Sequence, residues 1–255
     1  MHIHFEKYQA TGNDFIVIDN RLNIFPKKIA FIKKICDRKF GIGSDGLILI
    51  EDSNVSEFEM VFYNPDGSQS LCGNGCRAAI HFAQSLNIVK NTIVFNAFDG
   101  QHKGKIKSDT ITVQMANGRN GRKIEDGMFF DTGSPHFVLF VADVQRVDVL
   151  TEGQKWRNSG LFGSGGANIN FVEIRDKNKV IVRTYERGVE NETLSCGTGV
   201  TASALAASLK GIQSPLTIET NGGILEISFL AKKNGFENIW LEGPVEHVFS
   251  GTIHF

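Results

Sequence analysis

Two short segments of this chain are versions of one another: Cys72-Gly73-Asn74-Gly75 and Cys196-Gly197-Thr198-Gly199, each followed by an Ala-rich run of helical period. A thiol set just before a Gly-rich turn that opens a helix sits where unpaired backbone N–H groups and the helix dipole favour negative charge. Two such thiols suggest a matched pair of acid/base groups. Inverting a carbon stereocentre needs such a pair, one group taking a proton from one face and the other returning a proton to the opposite face. In each direction one cysteine is thiolate and the other thiol, a split that a coupled pair sustains because the first ionisation opposes the second. Positioned acid–base catalysis supplies only about 10²–10⁴-fold. Removing an α-proton without an electron-sink cofactor therefore calls for electrostatic support at the carboxylate, which backbone donors of both Gly-rich turns can give.

The surrounding sequence repeats in the same order. Thr11-Gly12-Asn13 and Thr132-Gly133-Ser134 each precede an apolar run, 121 residues apart. Gly46–Glu51 resembles Asn168–Glu173, and Tyr63-Asn64 matches Tyr185-Glu186, both at 122. The turn dipeptides Asp99-Gly100 and Asn221-Gly222 are also 122 apart, while the cysteines are separated by 124, so the second half carries a loop longer by two. This period is far longer than that of a solenoid, and it implies a duplicated lobe. A length of 255 residues suits one to two domains, with 41% hydrophobic and 22% charged residues in an ordinary globular mixture. Each half is large enough for its own core. A net charge of −1 offers no footprint for nucleic acid or an anionic membrane. The first residues, Met1–Lys7, lack the apolar stretch of a signal peptide, and no apolar run of about 18 residues occurs. A cytoplasmic location is the expectation, with the four cysteines as thiols and not a disulfide scaffold.

Runs rich in Val, Ile, Phe and Thr predict strands near 3–8, 15–19, 47–51, 58–63, 92–98 and 110–115. The series recurs near 127–131, 137–142, 169–174, 180–185, 216–219, 224–229 and 238–242. Helices fit at Pro26 to about Arg38, Gly75 to about Leu86 and Gly199 to about Leu209; the small residues of the last two allow close packing inside a curved sheet. The expected class is α+β: two pseudo-symmetric β-rich lobes, each a curved sheet or barrel around a central helix, with the active site in the cleft between them. The boundary is expected in the polar stretch Ala116–Glu125, giving lobes 1–118 and 119–248. A final strand at 249–255 is left over from the second repeat and is free to return to the first lobe.

The residues also carry a resemblance. Thr11–Phe15, Asn64–Ser68, Cys72–Gly75, Gly133–His136, Tyr185–Gly188, Glu192-Thr193 and Cys196–Gly199 resemble, in order from about Phe5 to Gly243, the motif set of the diaminopimelate epimerases. The resemblance implies a cofactor-independent epimerase, using no metal, that converts LL- to meso-2,6-diaminopimelate on the route to lysine and cell-wall peptide. It implies that Cys72 and Cys196 are the acid/base pair, that Glu186 and His136 assist thiol ionisation, and that Asn13, Asn64 and Asn168 bind substrate. Gly73-Asn74 and Gly197-Thr198 would hold the reacting carboxylate, and Arg187 the distal one, a task suited to a bidentate guanidinium. A homodimer is implied as well. Three positions depart from a common form of the motifs: Ser134 where Asn is frequent, Gly46 where some members use a substrate-binding Gln, and a longer link at Val189–Glu192.

Other readings compete. Cys36, on a helical apolar stripe, reads as a small buried hydrophobe, and Cys76 lacks the second Cys/His pair that zinc would need. Gly41-Ile42-Gly43 lacks the later Gly of a dinucleotide fingerprint, and no Walker Lys-Ser/Thr is present. Proline and hydroxyproline racemases share the design but typically carry His where Asn74 stands, and phenazine-type isomerases lack the cysteine pair.

Overall fold

Residues 15–18 and 47–50 are buried without interruption, so strands built from them need cover on both faces. That requirement explains the architecture of the computed structural model, which describes residues 2–108 and 110–254. The chain divides into two units, Met1–Val113 with Gly243–Phe255, and Gln114–Glu242. The first contains β1 (His2–Ala10), β2 (Asn13–Asp19), α1 (Ile29–Cys36), β3 (Gly46–Glu51), β4 (Phe58–Tyr63), α2 (Gly73–Ser85), β5 (Thr92–Ala97), β6 (Gly100–Lys107) and β7 (Thr110–Gln114). Phe15, Val17, Ile48 and Ile50 face a core shared with Ala79, Ile80 and Ala83 of α2. The alternate residues Ile16, Ile18, Leu47 and Leu49 face a second core with Ile32, Ile35 and Cys36 of α1. Helix α2 packs on β1, β2, β3, β4 and β6. A single helix can reach so many strands only if the sheet wraps around it.

The second unit contains β8 (Gly118–Arg119), β9 (Arg122–Ile124), β10 (Gly127–Asp131), β11 (Pro135–Phe140), a 3₁₀ turn at Val144–Arg146, α3 (Val149–Arg157), β12 (Asn168–Asp176), β13 (Lys179–Glu186), β14 (Asn191–Thr193), α4 (Gly197–Ser208), β15 (Leu216–Thr220), β16 (Gly223–Lys232) and β17 (Gly235–Pro244). It repeats the first in pairing. In the first unit β1/β2 is antiparallel, β2/β3 parallel, β3/β4 antiparallel, β4/β5 parallel and β5/β6 antiparallel. The pairs β10/β11, β11/β12, β12/β13, β13/β15 and β15/β16 follow the same sequence. Registers agree too: Leu47 pairs with Tyr63, and Ile169 with Tyr185. Val172, Val180 and Val182 meet Val200 and Leu205 of α4, while Phe137, Phe171 and Tyr185 pack beneath Val149 of α3. The last strand, β18 (Glu246–His254), pairs antiparallel with β1 in the first unit.

Several local expectations shift. Ala97 pairs with Gly100 and Thr220 with Gly223, so the equivalent two-residue turns are Phe98-Asp99 and Asn221-Gly222, 123 apart, and the dipeptide Asp99-Gly100 is one residue out of step. Helices α2 and α4 begin at Gly73 and Gly197, not Gly75 and Gly199, because each cysteine occupies the N-cap in extended backbone. Helix α1 starts at Ile29, three residues past Pro26. The expected boundary stretch holds β8 and β9, and the division into units falls at 113/114 and 242/243. Strands β6 and β14 and helix α3 lie in segments too polar to stand out by pattern; α3 is started by Asp148, whose carboxylate accepts from the Thr151 N–H at 3.1 Å. Among the described residues no helix is long and apolar enough to cross a membrane.

Ile80 is fully buried between α2 and the wrapped sheet. Ile80→Ala should cost about 2–5 kcal/mol in urea unfolding, whereas Leu22→Ala, at a side chain 84% exposed, should change stability by less than about 0.5 kcal/mol.

Candidate active site

In the first unit the chain reverses from β1 to β2 through Thr11 and Gly12, both at positive φ, 51° and 83°. This tight turn delivers Asn13 to the N-terminus of α2. The Cys72 sulfur accepts from the Gly75 N–H at 3.4 Å and donates its proton to Asn13 Oδ1 at 3.6 Å. Asn74 Nδ2 donates to the same oxygen at 3.3 Å. A methyl group on Gly75 would lie 3.3 Å from both the Cys72 Cβ and the Met60 Cε, so it would press on the cysteine and the neighbouring methionine. Asn64 braces the approach to Cys72, its Nδ2 donating to the hydroxyls of Ser68 and Ser70 at 3.0 and 3.2 Å.

Behind Asn13 lies a run of charges. Asn13 Nδ2 donates to Asp45 at 2.8 Å, Arg38 bridges Asp45 and Asp14 at 2.7 and 2.6 Å, and Lys7 pairs with Asp14 at 2.6 Å. Burial opposes the Asp14 charge, but hydrogen bonds from Arg38 and Lys7 outweigh it and hold the carboxyl at about 2. Arg77, one turn into α2, is completely buried. Its Nη2 donates to the Thr11 hydroxyl at 3.3 Å, whereas Nε and Nη1 have no partner among the described residues. Burial lowers its pKa to about 10, against the pull of the nearby Cys72 and Cys76 thiols. Cys76 and Cys36 are themselves buried, and burial pushes both thiols up, so they remain protonated packing groups.

In the second unit Cys196 caps α4, with its sulfur 3.5 Å from the Thr198 hydroxyl. Thr198 Oγ1 is in turn 2.8 Å from His136 Nε2. Asn170 settles the imidazole tautomer. Its Oδ1 accepts from the Thr184 hydroxyl at 3.0 Å, and its Nδ2, bonded to the Phe137 carbonyl, faces His136 Nδ1 at 3.2 Å. Nδ1 is therefore the acceptor and Nε2 carries the proton. Having accepted from Nε2–H, Thr198 has its own proton to donate to the Cys196 sulfur. Burial, with the Arg187 charge adding to it, depresses His136 to about 3, so this imidazole is neutral at physiological pH, and the Thr198 hydroxyl lies between it and the Cys196 sulfur.

The remaining candidates fall around the same end of this unit. Asn168 Oδ1 accepts the Arg187 N–H at 2.8 Å, while its Nδ2 donates to the Ser134 hydroxyl and the Pro135 carbonyl at 3.0 and 3.1 Å. Serine at 134 thus still holds the asparagine in place. Arg187 Nη1 reaches the Gly165 carbonyl at 3.4 Å, and Glu186 accepts from the Thr193 hydroxyl at 2.8 Å. The extra acids of the longer link are absorbed locally: Glu192 forms a two-pronged pair with Arg183, both at 2.7 Å, and Glu190 accepts from the Tyr185 hydroxyl at 3.1 Å. Gly46 begins β3 with its Cα too close to Phe62 to bear a side chain, 2.4 Å from where a Cβ would stand.

Asp45, Arg77 and Asn170 were not among the residues singled out from sequence. Two of the three carry a signal: Asn168 and Asn170 alternate within an otherwise apolar strand, which puts both on one face, and Arg77 is the lone charge in a helix of small and apolar residues, whereas Asp45 has none.

With this geometry in hand, the likeness to known proteins is specific. The diaminopimelate epimerase family profile matches residues 5–120 and 128–248. A diaminopimelate epimerase of Flavobacterium psychrophilum is 52% identical, the alignment covering 97% of this chain and 98% of that protein. The chain belongs to the diaminopimelate epimerase family. A second epimerase of this family, from Aquifex aeolicus, is 38% identical over 98% of both chains. More distant solved structures share the fold: a phenazine biosynthesis protein of the PhzF family from Bacillus anthracis (TM-score 0.77, 13% identity, all of both chains) and a probable proline racemase from Agrobacterium radiobacter (TM-score 0.74, 11% identity, 99% of this chain and 93% of that one). The two-lobe α+β class is thus common to the epimerase family and to these relatives.

Two outcomes follow for the Cys196 cluster. A Cβ on Gly199 would stand 2.5 Å from Asn170 Oδ1 and 3.3 Å from His136 Cε1, so Gly199→Ala should lower stability by about 1–3 kcal/mol in chemical unfolding and displace the histidine. His136 also sets a pH dependence. Its folded pKa lies below the ordinary 6.5, so the unfolded chain binds the extra proton and stability falls as pH drops from about 6.5 towards 3. His136→Gln should flatten that slope in denaturation midpoints measured between pH 7 and pH 4.

Proposed function

We propose that this protein epimerises LL-2,6-diaminopimelate to the meso form without a cofactor, Cys72 and Cys196 serving opposite faces of one α-carbon. The observation that carries this reading is the placement of each cysteine as the N-cap of the equivalent helix in two duplicated units. One thiolate takes the α-proton, and the other cysteine, as thiol, delivers a proton to the opposite face, so each turnover exchanges which of the two is charged. Negative charge developing on the α-carbon spreads into its carboxylate, and the N–H groups at Gly73-Asn74 and Gly197-Thr198 are the donors suited to hold it. His136, neutral and linked through Thr198, would tune Cys196, with Glu186 as a neighbouring acid that orients the site. Asn13, Asn64 and Asn168 would fix substrate and site geometry, and Arg187 would grip the distal carboxylate. On this reading the protein serves lysine and peptidoglycan precursor synthesis, works in the cytoplasm where thiols stay reduced, and acts as a homodimer.

Replacing either cysteine by alanine should abolish epimerisation in both directions. In deuterated water the wild-type enzyme should place solvent deuterium on the inverted product, whereas Cys72→Ser and Cys196→Ser should retain exchange with complementary stereoisomers, read by mass spectrometry of LL and meso substrate incubated separately. A single alanine variant that still epimerised near the wild-type rate would remove that thiol from the mechanism. Arg187→Lys keeps the charge but loses the planar fork. Loss of that contact is on the order of 1.5–3 kcal/mol, so kcat/KM should fall about tenfold or more in a protein whose circular dichroism is unchanged.

A further inference from the structure

Asn13 could present either end of its amide to Cys72, and the two ends do opposite things. An oxygen accepts a proton from the thiol and favours the protonated sulfur; an NH₂ donates and favours the thiolate. The structure selects between them through Asp45. Its Oδ2 accepts from Asn13 Nδ2 at 2.8 Å and from the Asp14 N–H at 3.3 Å, and its Oδ1 accepts from Arg38 Nη2 at 2.7 Å. An ionised carboxylate can only accept, so the Asn13 group facing it must be the NH₂, which turns Oδ1 towards Cys72 and Asn74. Asp45 is anchored by its backbone, its N–H bonded to the Asp14 carbonyl at 2.9 Å, and Arg38 and Lys7 complete the row of alternating charge.

We propose that Asp45 is a positioning residue for the acid–base chemistry of Cys72, acting through the Asn13 amide to aim an acceptor at the sulfur. A two-base mechanism needs each thiol to hold a proton for half of its cycle, and this arrangement supplies Cys72 with a site for that proton. Buried Arg77 on the same helix provides the opposing influence, favouring the thiolate. Among the described residues, the charged and titratable groups around the pair include Lys7 on β1, Asp14 on β2, Cys36 at the end of α1, Arg38 beyond it, and Arg77 and Cys76 on α2, with Asp99 acting on Cys76. Asp14, held near 2, and Arg38, raised further above its ordinary value by the Asp14 and Asp45 carboxylates, keep their charges across the neutral range. The pH dependence of labelling at the Cys72 sulfur therefore reads the thiol itself.

The inference rests on Cys72 being one of the two acid/base groups, and the test reads the thiol without requiring turnover. In full-length protein carrying Cys196→Ala, the rate of iodoacetamide labelling at Cys72 is followed against pH by peptide mass spectrometry. Asp45→Ala frees the Asn13 amide to rotate its NH₂ towards the sulfur, so the apparent pKa of Cys72 should fall by about one unit, giving about tenfold more thiolate below it. Removing the Asp45 charge lowers that pKa somewhat by itself, so the same substitution is made alongside Asn13→Ala. If Asp45 acts through Asn13, the shift shrinks in that background to the part that the charge alone supplies. A shift that persists undiminished without Asn13, or no shift in folded Asp45→Ala, would overturn the proposal. Should Asp45→Ala fail to fold, Asp45→Asn keeps the shape and a partner for Arg38 while allowing either amide sense, and the same cycle is read. Failure of the wider two-cysteine reading would show separately, as an active Cys72→Ala enzyme.

Discussion

A helix wrapped on all sides by its own sheet has no solvent to satisfy its first N–H groups, and this constraint governs both units. Gly73 to Ile80 of α2 are all buried, as are Gly199 to Ala207 of α4. Apart from Asn74 and the buried Arg77, both helices are built near their starts from small residues, Gly, Ala, Cys, Val, Ser and Thr, which let the sheet close around them. The open N-terminal donors must be met by the capping residue or by something that arrives from outside. A cysteine at that position meets one of them in the first unit, where the Gly75 N–H points at the Cys72 sulfur. The rest are left suited to an anion. Packing and reactivity are thus the same requirement seen from two sides.

Duplication places this device twice, but the two copies are furnished differently. The register that pairs Phe15 with Gly46 in the first unit pairs His136 with Asn168 in the second. An apolar ring in one copy is therefore a hydrogen-bonding ring in the other. In the same way Arg77 of α2 corresponds to Thr201 of α4, whose hydroxyl folds back on the Gly197 carbonyl at 2.9 Å. Cys72 consequently meets an amide oxygen and a buried cation, whereas Cys196 meets a hydroxyl backed by a neutral imidazole. Two thiols with different neighbours can exchange roles within one cycle without being chemically identical at rest.

Much of the second layer is electrostatic or hydrogen-bonded order imposed on groups that could point either way. Asn13, Asn168 and Asn170 each have amides whose sense is dictated by a fixed partner: a carboxylate for Asn13, backbone N–H and C=O groups for Asn168, and a hydroxyl with a carbonyl for Asn170. Such partners convert a flexible polar side chain into a donor or acceptor of known direction. Gly199 extends the same logic to sterics, since its missing side chain is the space that Asn170 occupies.

The repeat of Cys-Gly-x-Gly, the flanking Thr-Gly turns and the runs of alternating Val and Ile were legible in the sequence, because thiol chemistry, glycine geometry and strand period are local properties of the residues that carry them. They were enough to read two lobes with a central helix in each, and the wider set of motifs carried the family. What the sequence could not convey is which side chains meet across distant strands. Asp45 reaches Asn13 because β2 and β3 run parallel, and His136 reaches Asn170 because β11 and β12 do. The tautomer of His136, the sense of the Asn13 amide and the burial of Arg77 were decided only by that tertiary pairing, because hydrogen-bond direction and desolvation depend on neighbours brought from elsewhere in the chain.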